Sequence, residues 1–325
     1  VAAPRTPSGG AWRILTLCAL GAFAAFRLAE LTRYALWYDE LFSLTLAQMG
    51  WDDLLRAAVH DRTNPPLFYL LFKAWIGIGG TSVAWMRLLP CLTGIAAAIP
   101  LAALARRIFA PFDAAAAPWR ALLAAVATLA AAAASPLHVF LSNELRGYSL
   151  LLFLSAVSLL CYARVAESAW WLAPGTIAGE VPSPIGQAAA EHRRRMVILA
   201  AVNVLLVYTH YFGWLLVPAA GGAAAFWRRS VLKATVSSAI AAAVAFAPWA
   251  MAVALDASAA PRALSNVEWI SRPPLGAVSR FYDALVARVP TAGLAWLGAL
   301  VMIGLFAAFL VAAGLWQAAG AADRL

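Results

Sequence analysis

The sequence predicts an all-α membrane protein, a polytopic bundle of about eight transmembrane helices. Hydrophobic residues make up 64% of its 325 residues and charged residues only 12%, against about 45–50% and about 25% in a soluble domain. Apolar stretches of about 17–25 residues recur along the chain, and each is long enough for a helix to cross the hydrocarbon core. The many alanines and leucines favour helices over strands.

Arginine clusters set the expected orientation, because basic residues concentrate in cytoplasmic loops. Arg106–Arg107, Arg193–Arg195 and Arg228–Arg229 are therefore predicted to be cytoplasmic, and both chain termini lie on the same side. The first span is retained rather than cleaved, since it is longer than a signal segment and no cleavage site follows it. The predicted spans are residues 12–31, 86–105, 120–140, 148–163, 196–209, 212–227, 233–251 and 292–316.

The net charge of +9 is explained by these clusters, so membrane lipid and not nucleic acid is the expected partner. Cys18, Cys91 and Cys161 lie in apolar stretches without metal-binding or disulfide spacing. The sequence contains no phosphate-binding glycine loop, dinucleotide fingerprint, HExxH or GxSxG motif. We therefore predict no cofactor, and a requirement for a divalent metal stays open.

The whole chain, residues 1–325, is expected to form one membrane domain with three sizeable loops. These are an outer loop over residues 32–85, a cytoplasmic loop over 164–195 and a second outer loop over 256–290. The first outer loop is predicted to carry three helices. One follows Asp39 and ends at Gly50, and one is amphipathic from Trp51 to Val59.

The third loop helix, Pro65–Ile78, is apolar but only about 20 Å long. It carries Lys73 and ends at a run of glycines, and Asn64 with the two prolines after it supplies the cap and first turn. We interpret this helix as interfacial. A crossing at this point would place Arg106–Arg107 outside the cytoplasm, against the charge rule.

Two adjacent carboxylates, Asp39 and Glu40, open the first outer loop directly after the first span. Carboxylates near lipid depth are costly and usually functional. The alternative is that Asp39 caps the following helix. A second polar group in the loop contains His60, Asp61 and Asn64, which either mark a helix end or contribute to the same site.

Two further polar segments fall on the same predicted side of the membrane. Glu144, Arg146 and Tyr148 follow the third span, and the arginine is suited to binding phosphate in a forked geometry. An ion pair with a loop acid, or snorkelling to the interface, is the alternative. His210 and Tyr211 form a short turn that belongs either to the site or to an aromatic belt.

Taken in order, these segments resemble the C-type glycosyltransferase superfamily, particularly the branch of protein O-mannosyltransferases and the aminoarabinose transferase of lipid A. The matching segments are Trp37-Tyr38-Asp39-Glu40, Asn64-Pro65-Pro66-Leu67-Phe68-Tyr69, Arg87-Leu88-Leu89-Pro90, Ala105-Arg106-Arg107-Ile108-Phe109 and Asn143-Glu144-Leu145-Arg146-Gly147-Tyr148-Ser149-Leu150. The chain departs from the family at Asn64, where many relatives carry histidine. Relatives usually continue with further spans and a soluble domain, so the resemblance implies that this C-terminal part is absent here.

The resemblance implies a polyprenyl-phosphate sugar as donor and a glycan, lipid or protein hydroxyl as acceptor, on the extracytoplasmic face of a bacterial inner membrane. Asp39 would be the base of an inverting transfer, and Arg146, with Arg87 or Lys73, would neutralise the leaving phosphate. Glu40, the second predicted catalytic residue, and Asp61 would hold sugar hydroxyls or orient the acceptor. The other predicted substrate-binding residues are His60, Asn64, Glu144, Tyr148, His210 and Tyr211.

Two other classes of function compete with this reading. A transporter or flippase for a lipid-linked sugar predicts inverted repeats and polar residues at the membrane midplane. Here the charged candidates gather near one face. If the chain were a non-catalytic scaffold, it would bind no ligand, and the grouping of carboxylates and arginines on one side would have no explanation.

Overall fold

The structure, a computed structural model, describes residues 9–29, 31–32, 34–108, 118–170, 182–227 and 231–256, and these ranges are almost entirely helical. The all-α prediction is therefore confirmed for them, and they contain no strand. The helices are α1 Gly9–Ala29, α2 Tyr38–Gln48, α3 Trp51–Asp61, α4 Leu67–Gly79, α5 Val83–Ile108, α6 Pro118–Ala134, α7 Pro136–Asn143, α8 Tyr148–Trp170, α9 Pro182–Thr209, α10 Gly213–Trp227 and α11 Leu232–Leu255.

Three of the described helices are long and apolar enough to cross a membrane: Val83–Ile108, Tyr148–Ser168 and Leu232–Leu255. The pair α6 and α7 makes a fourth span if it is counted as one crossing. The chain thus has the character of a membrane protein, but the predicted count of about eight spans is not confirmed. Helix α10 has only 15 residues, and the first half of α9 contains the charged stretch 191–195. The predicted span 292–316 and the loop after residue 256 lie outside the described residues.

Two predicted boundaries are wrong, and proline explains both. The single span predicted over 120–140 is broken into α6 and α7, which meet at an angle of 67°. Pro136 starts α7, and Ser135 caps it by accepting a hydrogen bond from the backbone of His138 at 3.2 Å. The predicted loop 164–195 is mostly helix, because α8 continues to Trp170 and α9 starts at Pro182, a position that proline favours.

The three helices predicted in the first outer loop are confirmed as α2, α3 and α4. Leu54 and Ala58 form the fully buried face of the amphipathic helix α3, as its periodicity indicates. With 13 residues, α4 is too short to span the hydrocarbon core. The C-terminal half of α4 packs against the start of α5, where the rings of Trp75 and Trp85 stack with centroids 4.4 Å apart.

Neither Asp39, for which a cap was the alternative interpretation, nor Asn64 caps a loop helix. Asp39 does not cap α2 but lies in its first turn, and Trp37 occupies the cap position. Asn64 does not cap α4, because Pro66 precedes the helix and makes no side-chain capping bond. Both polar side chains are thus left available for contacts outside their own helices.

Helix α5 is the centre of the bundle and packs against α6 and α7 on one side and α8 on the other. Helices α8, α9 and α11 continue the packing in that order. Asn203 joins them, because it donates to the buried hydroxyl groups of Tyr162 and Ser238 and accepts from the hydroxyl group of Ser158. Helix α7 lies so close to α5 that a Cβ at Gly94 would meet the Ser142 side chain at 2.3 Å. Close approach at small residues is typical of helix packing in membranes.

Candidate functional site

Four separate segments of the chain meet at one end of the bundle. They are the start of α2, the loop between α3 and α4, the α7–α8 connection and the α9–α10 turn. We call their polar side chains, together with Arg87 at the start of α5, the polar cluster. It consists of Asp39, Glu40, Asn64, Tyr69, Arg87, Glu144, Arg146, Tyr148 and His210.

Glu40 and Arg87 form a buried ion pair within the cluster. Arg87 donates from Nε and Nη2 to the two Glu40 carboxylate oxygens at 3.0 and 2.6 Å. The exposed fractions of the two side chains are only 1% and 5%. Such a pair is stable only when both groups are fully hydrogen-bonded.

The remaining hydrogen-bonding capacity of this pair goes to the backbone. Glu40 accepts from the N–H of Leu145 at 3.1 Å and from that of Trp37 at 3.3 Å. The Arg87 guanidinium also donates to carbonyl oxygens of the chain just before α2, at Leu31, Tyr34 and Ala35. The ion pair therefore ties the α7–α8 connection and the start of α2 to α5.

Asp39, next to Glu40, has a different environment. It is half-buried in the first turn of α2, where the helix dipole favours a negative charge. Its carboxylate makes no hydrogen bond with the part of the chain that the structure describes, yet it interacts electrostatically with Glu144 and Arg146. Of the two adjacent carboxylates, Asp39 is the one without a hydrogen-bond partner among the described residues.

Arg146 is held by polar neighbours rather than by a carboxylate. In the amide orientation that satisfies both neighbours, Asn64 accepts from Arg146 at 3.1 Å and donates to Nε2 of His210 at 3.1 Å. Tyr148 interacts electrostatically with Arg146, and its ring lies 5.5 Å from that of His210. These contacts orient the guanidinium without neutralising its charge, which suits an anion-binding role.

Glu144 is buried, and its Oε2 atom has no hydrogen-bond partner among the described residues. Burial raises the pKa of Glu144 to about 7; the nearby Arg146 lowers it, while Glu40 and Asp39 raise it. Burial and the charge of Arg146 lower the pKa of His210 to about 4. At neutral pH the cluster therefore holds a neutral histidine and a carboxyl group close to half-protonation.

Replacing Glu144 with glutamine is expected to remove a pH dependence of stability. The pKa of Glu144 is raised from 4.5 in the unfolded chain to about 7. The contribution of Glu144 to the stability of the fold is thus fully present below its pKa in the unfolded chain. It is lost as the pH rises through its pKa in the folded protein. The loss is on the order of 2 kcal/mol. The free energies of unfolding of the wild-type protein and of Glu144→Gln, measured between about pH 5 and pH 8, give the size of this loss.

The control for this experiment is Glu191→Gln. The pKa of the exposed Glu191 is lowered to about 2, first by its hydrogen bonds to Arg194 and Arg195. Its contribution is therefore lost only at more acidic pH. The prediction is wrong if the free energies of unfolding of the wild-type protein and of Glu144→Gln change in parallel over the same pH interval.

Four of the residues predicted for the site make their main contacts elsewhere. His60 pairs with Asp256 at 3.2 Å, and Asp61 accepts from the backbone of Thr63 at 3.3 Å. The ammonium of Lys73 donates to backbone oxygens at the end of α2, with Ala47 at 3.2 Å. Tyr211 accepts from the Trp249 indole at 3.3 Å.

The sequence reasoning missed Tyr69 as a site residue. It is almost fully buried in α4, lies beside Asn64 and Thr63, and interacts electrostatically with Arg146. A tyrosine hydroxyl in an otherwise apolar helix that follows a polar loop is a signal that could have identified it, because a buried hydroxyl needs a partner.

No group of three histidine, cysteine, aspartate or glutamate side chains in the described ranges is arranged to hold a metal ion. The side chains of the cluster supply an open carboxylate, a charged guanidinium and neutral hydrogen-bonding groups. In the comparisons with known proteins, no family model, curated protein or solved structure matches this chain.

Proposed function

We propose that this chain is an integral-membrane glycosyltransferase that moves a sugar from a polyprenyl-phosphate donor to an acceptor hydroxyl. One observation carries the proposal: an open carboxylate, Asp39, and a positioned guanidinium, Arg146, lie within electrostatic reach of each other in one cluster. Transfer from a phosphate-linked sugar requires this combination of a base and an anion-binding group. The resemblance to the C-type superfamily leads to the same reaction.

In the proposed reaction the acceptor oxygen attacks the anomeric carbon from the side opposite the phosphate. The bond between that carbon and the phosphate oxygen breaks, and the polyprenyl phosphate leaves with the electron pair. Asp39 takes the proton of the acceptor hydroxyl, while Arg146 stabilises the charge on the leaving phosphate. A single displacement of this kind inverts the anomeric centre.

The other members of the cluster have supporting roles in this proposal. Glu40 and Arg87 are positioning residues, because their charges are already matched and buried. Asn64 and Tyr148 lie beside the Arg146 guanidinium and orient it, and His210 in turn holds the Asn64 amide. Glu144 contributes a carboxyl group that can donate or accept a hydrogen bond near neutral pH.

We further propose that the chain lies in a bacterial inner membrane with about eight spans and the polar cluster on the extracytoplasmic side. The charge distribution supports this orientation. Arg107 and Arg164 lie towards the ends of α5 and α8 that are remote from the cluster, and Arg194 and Arg195 lie in the half of α9 that is remote from it, as the positive-inside rule expects for the cytoplasmic face. The partners are then the lipid-linked donor, membrane lipid and a glycan, lipid or protein acceptor.

Replacing Arg146 with glutamine tests the proposal directly. Loss of one preorganised group that stabilises developing negative charge costs about 10²–10³-fold in turnover, and Arg146→Lys is expected to retain part of the rate because it keeps the charge without the fork. The measurement is the release of free polyprenyl phosphate from a radiolabelled polyprenyl-phosphate sugar in proteoliposomes, with bacterial membrane extract as the source of acceptor.

The control is Arg56→Gln, since Arg56 is exposed on α3 and pairs only loosely with Asp53 at 3.5 Å. Wild-type protein that releases no lipid phosphate would overturn the proposal. Movement of the intact lipid-linked sugar between leaflets, without release, would identify the chain as a flippase instead. The break between α6 and α7 is the feature that favours this alternative, because broken helices are typical of transporters.

A further inference from the structure

A cluster of arginines lies at the end of the bundle opposite the polar cluster. It lines a cavity of about 340 Å³ between the end of α5, the last turns of α8 and the middle of α9. Along α8, Arg164 is 16 residues beyond Tyr148, so the two sites are about 24 Å apart at about 1.5 Å per residue. This distance is close to the thickness of a hydrocarbon core. We call this cavity, defined by Arg107, Arg164, Arg194 and Arg195, the arginine cavity.

The arginine cavity contains more positive charge than its own carboxylates neutralise. Glu191 is shared by two arginines, accepting from Arg194 at 2.8 Å and from Arg195 at 2.9 Å. Glu167 pairs with Arg107. Four guanidinium groups therefore face two carboxylates.

Of the four guanidinium groups, that of Arg164 is the one without a polar partner among the described residues. Its side chain is exposed and makes no hydrogen bond or ion pair with any residue in the described ranges. Its backbone carbonyl accepts from Arg195 at 2.7 Å, and both side chains line the cavity. An anion bound there would reduce the repulsion between guanidinium groups that no carboxylate neutralises.

We infer that the arginine cavity binds the phosphate of an anionic phospholipid headgroup. Guanidinium groups bind phosphate oxygens in a forked, charge-assisted geometry. A basic recess between membrane helices at the level of the headgroups is a typical site for an anionic lipid. The inference does not depend on the proposed sugar transfer, because none of its residues belongs to the polar cluster.

The test is a lipid titration of the purified full-length chain in neutral detergent, with native mass spectrometry counting bound lipids. Phosphatidylglycerol is expected to bind more tightly than phosphatidylcholine. Arg164→Gln is expected to weaken phosphatidylglycerol binding by about tenfold, the loss of one charge-assisted hydrogen bond. Arg56→Gln, an exposed arginine at the other end of the molecule, is the matched control and should not change it.

Two results would overturn the inference. The first is equal binding of the two lipids by the wild-type protein, or phosphatidylglycerol binding that Arg164→Gln leaves unchanged. The second is complete displacement of the lipid by inorganic phosphate at an equal concentration, which would make the cavity a site for free anions. Because the Arg164 guanidinium has no partner in the described fold, its replacement should leave folding intact, and a thermal unfolding scan of the lipid-free variant checks this.

Discussion

Replacing Asp39 with asparagine is expected to lower the rate of sugar transfer by about 10²–10⁴-fold, the usual contribution of a positioned general base. The amide has nearly the same shape as the carboxylate but cannot accept the proton of the acceptor hydroxyl. Because Asp39 makes no side-chain hydrogen bond within the described residues, the substitution should not disturb the fold. Release of lipid phosphate from the labelled donor measures the effect.

Asp53→Asn is a matched control for Asp39→Asn. Asp53 also lies in the first turn of a loop helix, and its side chain is two-thirds exposed. Both substitutions remove one charge from the start of a helix, so any general effect of the helix dipole is common to them. Full transfer activity in Asp39→Asn would exclude this residue as the base and leave Glu144 as the carboxyl group to test next.

Replacing Arg87 with methionine should destabilise the protein by about 3–5 kcal/mol, because the Glu40 carboxylate then remains buried without a matching charge. The double variant Glu40→Leu/Arg87→Met is expected to recover much of this loss, since no charge is left unpaired. Unfolding of the single and double variants in mixed micelles gives the coupling energy of the pair.

An exposed ion pair provides the comparison for Arg87→Met. Arg56 and Asp53 are about 78% and 66% exposed, and breaking such a pair costs about 1 kcal/mol or less. A loss of that size in Arg87→Met would mean that the Glu40–Arg87 pair is open to water and does not hold the α7–α8 connection in place. The assigned positioning role would then be wrong.

Much of the helical framework could be predicted from the sequence. The periodicity from Trp51 to Val59 identified α3, and the length of the apolar stretch after Pro66 identified α4 as too short to cross. These features are local, because they depend on residue spacing and on the geometry of one helix. The α6–α7 break was missed, since the apolar composition on both sides of Ser135 and Pro136 concealed the local effect of the proline.

The roles of individual polar residues were less predictable. Asp39 and Glu40 are adjacent in the sequence, yet Asp39 is half-buried whereas Glu40 is fully buried. Glu40 pairs with Arg87, which lies 47 positions later in the chain. Asn64 was expected to cap its own helix, and it instead contacts Arg146 and His210. Contacts of this kind depend on how distant segments of the chain pack, and helical periodicity, which is a local property, does not predict them.

The amino-acid sequence is sufficient to establish the membrane character, the helical class and the four polar segments, because hydropathy and helix length are properties of short stretches of chain. The assignment of partners within those segments comes from tertiary packing. A buried charge must find an opposite charge wherever the fold supplies one, and here Arg87 is that partner for Glu40. Asp39 and Arg146 are left as the pair that the proposed reaction uses.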